Sequence, residues 1–270
     1  MSLPISVFII CYNEIERMEI VLQSVSKLST DIVVVDSGST DGSVELAKKY
    51  TDRVFYREWT GFGEQKVFAE SLCRYNWVLN LDADEVLSEE LLERISKIVI
   101  ADPSNTKRAS GFELRVTMMT GLQDKKKVRI LAPFNYTGRF YDKRYAGFSD
   151  SSVHDKLTDK LSGSVRFPRL KGYIYHYSIK NYHHMWCKIG DYSKLQADVW
   201  VKKGRKPRVW MAFFEGPLFF LKHYFARRLF ALGSQGFVIA LSLTAGRVLR
   251  RVIAHEIYSK RINLKNQKDE

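Results

Sequence analysis

Asp82 and Asp84 close the run Asn76-Trp77-Val78-Leu79-Asn80-Leu81-Asp82-Ala83-Asp84-Glu85, and their spacing could do chemistry. The apolar stretch before them reads as a strand. A strand sends alternate side chains to opposite faces, so carboxylates two residues apart face the same way. Like charges so placed repel unless a cation lies between them. A hard divalent ion, Mg²⁺ or Mn²⁺, is the natural occupant, because it takes one or two carboxylates together with diphosphate oxygens. The chemistry implied is the handling of a nucleotide diphosphate. Fifteen Asp in 270 residues make about one Asp-x-Asp by chance. Alone, the motif reads as a solvated turn between Leu81 and a helix starting near Ser88, and the residues upstream decide otherwise.

Upstream, strand and helix patterns alternate. Ile5–Ile10 is a continuous β-branched apolar run, as in a strand buried on both faces. Glu14–Leu28 has helical spacing of Ile15, Met18, Val21, Leu22 and Val25. Ile32–Val35 reads as a second buried strand. Ser39-Thr40-Asp41-Gly42 opens another helix, Arg53–Tyr56 is a short strand, Gly63–Cys73 a helix, and Trp77–Leu81 the strand leading to the carboxylates. Such alternation predicts an α/β fold, a mostly parallel sheet with helices on both faces. Ligands of such sheets lie beyond the carboxyl ends of the strands. Polar clusters stand at three of those ends: Cys11-Tyr12-Asn13-Glu14, Asp36 through Asp41, and Asp82-Ala83-Asp84. Asn13 and Ser39 or Thr40 also read as helix N-caps, but capping leaves Asp36, Asp82 and Asp84 unexplained.

No Gly-x-Gly-x-x-Gly follows the first strand and no Gly-x-x-x-x-Gly-Lys-[Ser/Thr] occurs. That disfavours a dinucleotide dehydrogenase and a P-loop enzyme, so phosphates fall to metal and side chains. An apolar fraction of 45% suffices for a packed core. Cys11, Cys73 and Cys187 are odd in number and widely spaced, which favours a reducing compartment over a disulfide framework. The opening Met1-Ser2-Leu3-Pro4 lacks a basic region followed by an apolar one, so no signal peptide is expected.

The net charge of +13 is uneven. Residues 1–155 hold 20 Lys and Arg against 23 Asp and Glu, whereas residues 156–270 hold 23 against 7. From Asn181 onward long helical patterns replace the alternation. Tyr182–Val201 is followed by Lys202-Lys203-Gly204-Arg205-Lys206-Pro207-Arg208, then by the aromatic run Val209–Leu221, which Glu215, Gly216 and Pro217 interrupt. Lys222, His223, Arg227 and Arg228 separate it from the uncharged run Leu229–Ala245. Neither run reaches the ~20 residues needed to cross a bilayer. Apolar blocks ringed by Lys and Arg read as interfacial helices on anionic lipid, or as a buried helical hairpin. Nucleic acid is not expected, because the aromatics are not interleaved along a basic strip.

Three pieces taken together resemble the family 2 inverting glycosyltransferases of the GT-A fold. They are Ile5-Ser6-Val7-Phe8-Ile9-Ile10-Cys11-Tyr12-Asn13-Glu14, Val34-Val35-Asp36-Ser37-Gly38-Ser39-Thr40-Asp41-Gly42, and Leu81-Asp82-Ala83-Asp84-Glu85. Gly61-Phe62-Gly63-Glu64-Gln65-Lys66, Val153-His154-Asp155 and His176 resemble the bacterial lipopolysaccharide-core glucosyltransferase branch. That branch usually has Glu where Asp155 stands. The resemblance implies that Tyr12, Asn13 and Glu14 border the nucleobase and ribose, and that Asp36 accepts from the base N–H. It places Gln65 or Lys66 near base or diphosphate, Asp82 near the ribose or metal-bound water, and Asp84 on the bridging cation. His176 reads as a core or interface histidine, or as a third metal or diphosphate contact.

Inversion needs a group to remove the acceptor hydroxyl proton. Asp155 is the expected general base, with His154 orienting it or touching the acceptor, after a loop at Gly147–Ser152. Arg139, Lys143 and Arg144 bracket this region and could meet phosphates. The expectation is therefore a GT-A glycosyltransferase domain over 1–180, with a mixed, mostly parallel sheet, and a basic helical extension over 181–270. It would move a hexose, in the first instance glucose from UDP-glucose, onto a lipid-linked saccharide at the cytoplasmic face of the inner membrane, with peripheral membrane contact through the extension. The alternatives are a polyprenyl-phosphate glycosyltransferase of the same fold, whose anionic acceptor needs no base, and a non-catalytic saccharide-binding module.

Overall fold

The structure is a computed structural model. It describes residues 3–105, 109–119, 132–148 and 156–269, with side chains as far as residue 262. The chain divides into two compact units, Met1–Leu122 with Phe134–Ser178, and Gln123–Pro133 with Ile179–Glu270.

In the first unit β1 (Ile5–Cys11), α1 (Ile15–Val25), β2 (Asp31–Asp36), α2 (Ser43–Lys48), β3 (Val54–Tyr56), α3 (Phe62–Ser71) and β4 (Trp77–Asp82) alternate as the apolar patterning requires. All seven residues of β1 are buried. Ile5, Val7 and Ile9 pack into one core with Met18, Val21 and Leu22 of α1. Phe8 and Ile10 enter another with Ala69 of α3 and Val33 and Val35 of β2. The two-residue side-chain period thus divides one strand between two layers of helix.

After β4 come β5 (Glu85–Leu87), α4 (Glu89–Ala101), β6 (Gly111–Met118), β7 (Phe134–Asp142), β8 (Ala146–Phe148), β9 (Leu157–Asp159) and β10 (Ile174–His176). One eight-stranded sheet has the order β3-β2-β1-β4-β7-β6-β10-β5, and β8 pairs with β9 apart from it. The first four strands are parallel. β7 runs antiparallel to both β4 and β6, and β5 antiparallel to β10, so the sheet is mixed. Trp77, fully buried at the base of β4, stacks 4.7 Å from Phe140 of β7 and belongs to the core. Gly147 and Phe148, expected in a loop, lie in β8.

The second unit is helical: α5 (Tyr182–Lys202), α6 (Ala212–Leu221) and α7 (Ser234–Asp269). The Ser193 hydroxyl of α5 donates to the Gly246 carbonyl of α7 at 2.9 Å. A Cβ on Gly246 would fall 2.4 Å from Ile189 Cγ2, so only glycine permits this approach of the two helices. The uncharged run Leu229–Ala245 is not one helix. Leu229–Leu232 is a 3₁₀ turn, and Gly233 at φ 65° breaks the chain before α7. Conversely Glu215, Gly216 and Pro217 do not interrupt α6, which continues through the proline. Among the described residues no helix is long and apolar enough to cross a membrane.

Candidate active site

Sheet register sets the carboxyl ends level. Cys11 pairs with Asp36, Ile10 with Asp82, and Asp36 with Tyr56. Asp36 and Asp82 therefore flank the end of β1 within one residue of the same height. Tyr12 follows, 59% exposed, while Asn13 adopts left-handed φ 54°, a conformation Asn tolerates.

The N-terminus of α1 is satisfied from the neighbouring loop and not by its own side chains. Asn13 N–H donates to Ser39 Oγ at 2.8 Å, Glu14 N–H to Ser43 Oγ at 2.8 Å, and Ile15 N–H to Asp41 Oδ2 at 3.1 Å. Thr40 N–H returns a bond to Asn13 Oδ1 at 2.9 Å. The expected caps are thereby corrected: α1 has Glu14 and α2 has Gly42 at the N-cap, neither with a side-chain bond. Asn13 and Ser39 instead lock two loops together. Asp36 accepts from the Gly38 and Ser39 amides, each at 2.8 Å, and from the Ser39 hydroxyl. A carboxylate has about four acceptor positions, so most of Asp36 holds its own loop.

Beside it, Gln65 is fully buried and donates through Nε2 to Ser37 Oγ at 2.9 Å and to the Arg57 carbonyl at 3.1 Å. Its Oε1 has no partner among the described residues. Cys11 is no candidate nucleophile: burial, then the Asp36 charge, pushes its thiol up to about 12.

β4 ends at Asp82, and Ala83 and Asp84 form a turn before β5. The strand alternation expected to align the two aspartates does not extend to Asp84. They are nevertheless close enough for the Asp82 charge to act on Asp84, and each has its own cations. Arg139 of β7 donates through Nη2 to Asp82 Oδ2 and to Glu85 Oε1, each at 2.7 Å, and through Nη1 to Asn80 Oδ1 at 2.7 Å. Lys66 Nζ lies 3.6 Å from Asp82 Oδ1. Burial alone would raise the Asp82 pKa, but Arg139 and then Lys66 outweigh it and hold the carboxyl well below the usual range. Glu85 goes the other way, raised by burial despite Arg139.

Asp84 Oδ2 sits 3.3 Å from Arg17 Nη1 and 3.4 Å from His176 Nε2. Strand pairing makes this meeting: His176 of β10 is in register with Glu85 of β5, and Tyr177 N–H donates to the Asp84 carbonyl at 2.9 Å. Burial raises Asp84 less than the His176 bond and charge, with Arg17, lower it. Burial would lower His176, but the Asp84 hydrogen bond prevails and raises it. Arg17 also donates to the Tyr177 carbonyl and, at 2.8 Å, to Glu14 Oε2.

Seven of the expected site residues thus form two linked clusters: Asn13, Glu14 and Asp36 in the interlocked loops, and Lys66, Asp82, Asp84 and His176 at the end of β4. His154 and Asp155 lie outside the described residues. Arg139, Lys143 and Arg144 each have partners among the described residues. Arg139 is buried against the carboxylates, Lys143 donates to the Cys73 carbonyl at 2.6 Å, and Arg144 is paired with Asp142 at 2.6 Å. Sequence reasoning missed Arg17 and the carboxylate role of Arg139. Arg17 left a trace, a cation one residue before Met18 inside an otherwise apolar helix stripe.

Residues 6–145 match the family model described as glycosyl transferase family 2, so the chain belongs to that family. It is a glycosyltransferase with the mixed α/β sheet of the GT-A fold. It is 36% identical to a Rickettsia conorii protein named as an uncharacterized glycosyltransferase, over 91% of this chain and 88% of that one. It is 30% identical to the lipopolysaccharide core biosynthesis glycosyltransferase LpsC of Rhizobium meliloti, over 96% of this chain and 93% of LpsC. S. aureus TarS 1-349 in complex with UDP-GlcNAc aligns at a TM-score of 0.44 and 15% identity, over 97% of this chain and 92% of that one.

Proposed function

We propose that the protein moves a hexose, in the first instance glucose from UDP-glucose, with inversion onto a lipid-linked saccharide of the lipopolysaccharide-core kind. The acceptor class is supported by the 30% identity to LpsC along nearly the whole chain. The donor side rests chiefly on one observation, the Asp84–His176 pair set beside Asp82 at the level carboxyl ends of β1, β2 and β4.

Among the described residues no group of three His, Cys, Asp or Glu is gathered to hold an ion. That fits Mg²⁺ or Mn²⁺ shared with a substrate, since such ions take one or two protein ligands plus phosphate oxygens and water. Asp84 would be the principal ligand, with His176 beside it at 3.4 Å. Bound there, a divalent cation would supply charge neutralisation for the departing diphosphate. Asp82, already neutralised by Arg139 and Lys66, is left to accept from the ribose or a water. Tyr12 covers the nucleobase, Asn13, Glu14 and Asp36 shape its rim, and the buried Gln65 Oε1, without a partner among the described residues, is an acceptor for a base N–H that reaches it.

In the transfer the acceptor hydroxyl attacks the anomeric carbon as the bond to the diphosphate breaks on the opposite side. Asp155 takes the hydroxyl proton, with His154 orienting it. Asp155→Asn should lower kcat by about 10²- to 10⁴-fold with UDP affinity unchanged. Loss of UDP binding in that variant would reassign Asp155.

The test of the whole reading is a thermal-shift series of nucleoside diphosphates and nucleotide sugars with and without Mn²⁺. UDP and UDP-glucose with cation should stabilise the protein, by about 2.7 kcal/mol at a hundredfold excess over Kd. Stabilisation by a guanosine or cytidine diphosphate alone would overturn the donor assignment.

A further inference from the structure

We infer that the outer face of α6 is a membrane-docking surface, laid flat in the interface of an anionic bilayer. A helix in water turns its apolar residues inward and its charges outward. α6 does the reverse. Phe213, Phe214, Pro217, Leu218 and Leu221, spaced i, i+1, i+4, i+5 and i+8, form one continuous outer face. Every one is exposed, Phe213 by 86%, and Phe225 carries the face into the following turn. The one charged residue of α6, Glu215, points inward to Arg251 and Arg247 of α7. Phe219 and Phe220 share that inner side: Arg247 lies 5.5 Å from the Phe219 ring, and Phe220 packs edge-on against Phe237 at 5.7 Å.

What covers the outer face is decided by its surroundings. Lys202, Lys203, Arg205, Lys206 and Arg208 precede it, Lys222, Arg227 and Arg228 follow it, and all are exposed. Trp210, also exposed, stands at its entry, as aromatic residues do at the headgroup level. Residues 181–270 hold 17 Lys and Arg against 6 Asp and Glu. A second copy of the chain would bring like charges together around the contact, and protein interfaces are poor in lysine. A bilayer with anionic headgroups meets both the apolar face and its basic border. Ten residues of helix span about 15 Å, half of the ~30 Å hydrocarbon layer, so the segment lies in the interface and does not cross it. The inference rests on the lipid-linked acceptor reading for its purpose, though not for its observations.

The test is co-flotation of the full-length protein with vesicles of phosphatidylcholine, with and without phosphatidylglycerol. Binding is expected to the anionic vesicles and to weaken as salt rises. Phe213→Ser with Leu218→Ser should reduce the partition coefficient about a hundredfold, roughly tenfold for each buried side chain lost. Both side chains are largely exposed, Leu218 by 67%, so the fold should survive. Replacing Lys202, Lys203 and Lys206 by Gln should remove the preference for anionic lipid, by about fivefold per charge. The inference is overturned if the protein fails to float with anionic vesicles. It is equally overturned if the serine variant floats as well as wild type, or if that variant only turns a concentration-dependent dimer into a monomer. UDP-induced thermal shift, measured on the same samples, should be unaltered by either set. Its absence in wild type would indict the donor site and not the docking face.

Discussion

Asp84→Asn is expected to cut turnover by about a thousandfold or more while leaving the unliganded protein folded. Asparagine keeps the shape and loses the charge, and the groups around Asp84 have other work. Arg17 remains bound to Glu14 and to the Tyr177 carbonyl, and the backbone bond from Tyr177 to the Asp84 carbonyl does not involve the side chain. What disappears is the carboxylate proposed to face the cation and the leaving diphosphate, a contribution of about 4 kcal/mol to the barrier at such sites. Two readouts separate this from general damage. Donor binding should lose its dependence on Mn²⁺, whereas the cation-independent part persists. His176, whose pKa is raised by its bond to Asp84 against the pull of burial, should titrate lower in the variant by NMR. A raised histidine stabilises the fold at acid pH and ceases to do so as pH rises through its folded value. In Asp84→Asn that increment should be missing on the acid side. Full turnover of the variant at saturating Mn²⁺ would remove Asp84 from the role proposed for it.

The sequence made the first unit readable because its strands are buried on both faces. Ile5–Ile10 and Ile32–Val35 have no polar alternation to confuse with loop, and the polar clusters at their ends could only stand at one edge of the sheet. Three features were not legible, each for a nonlocal reason. The caps of α1 come from Ser39, Asp41 and Ser43, about 26 to 29 residues away, and no local pattern encodes an exchange between loops. Arg139 reads as one more charge in a strand, because its partners Asn80, Asp82 and Glu85 lie on other strands. His176 reaches Asp84 only through the pairing of β10 with β5, a register that three-residue strands do not announce. In the second unit the composition of Val209–Leu221 was plain, but its inside-out facing depends on which side α7 covers. Strand alternation does not align Asp82 with Asp84, because the strand becomes a turn at Ala83.

Arg139→Met is expected to be strongly destabilising, and to weaken donor binding with it. Methionine fills most of the volume, so the loss is electrostatic. The guanidinium is the common partner of Asp82, Glu85 and Asn80, each at 2.7 Å, and both it and Glu85 are buried. Without it two carboxylates remain side by side with Lys66 at 3.6 Å as the nearby cation of Asp82. Removing one partner of a buried ion pair costs about 3–5 kcal/mol, a fall in the thermal midpoint of roughly 10 °C for a chain of this size. Glu85 is the group that would relieve the strain, since burial already raises its pKa with Arg139 present. A carboxyl raised in the folded state gains stability as pH falls, so the deficit of Arg139→Met should shrink on acidification through the folded pKa of Glu85. The neutral mimic makes the same point at constant pH. Arg139→Met combined with Glu85→Gln should be more stable than Arg139→Met alone, with a coupling of about 1–3 kcal/mol. Asp82 still lacks Arg139 in that double variant, with Lys66 at 3.6 Å left beside it, so UDP affinity should remain weak even as the fold recovers. Equal midpoints for Arg139→Met and wild type would mean that the carboxylates at the end of β4 are not held from β7, and the two-cluster account of the site would lose its anchor.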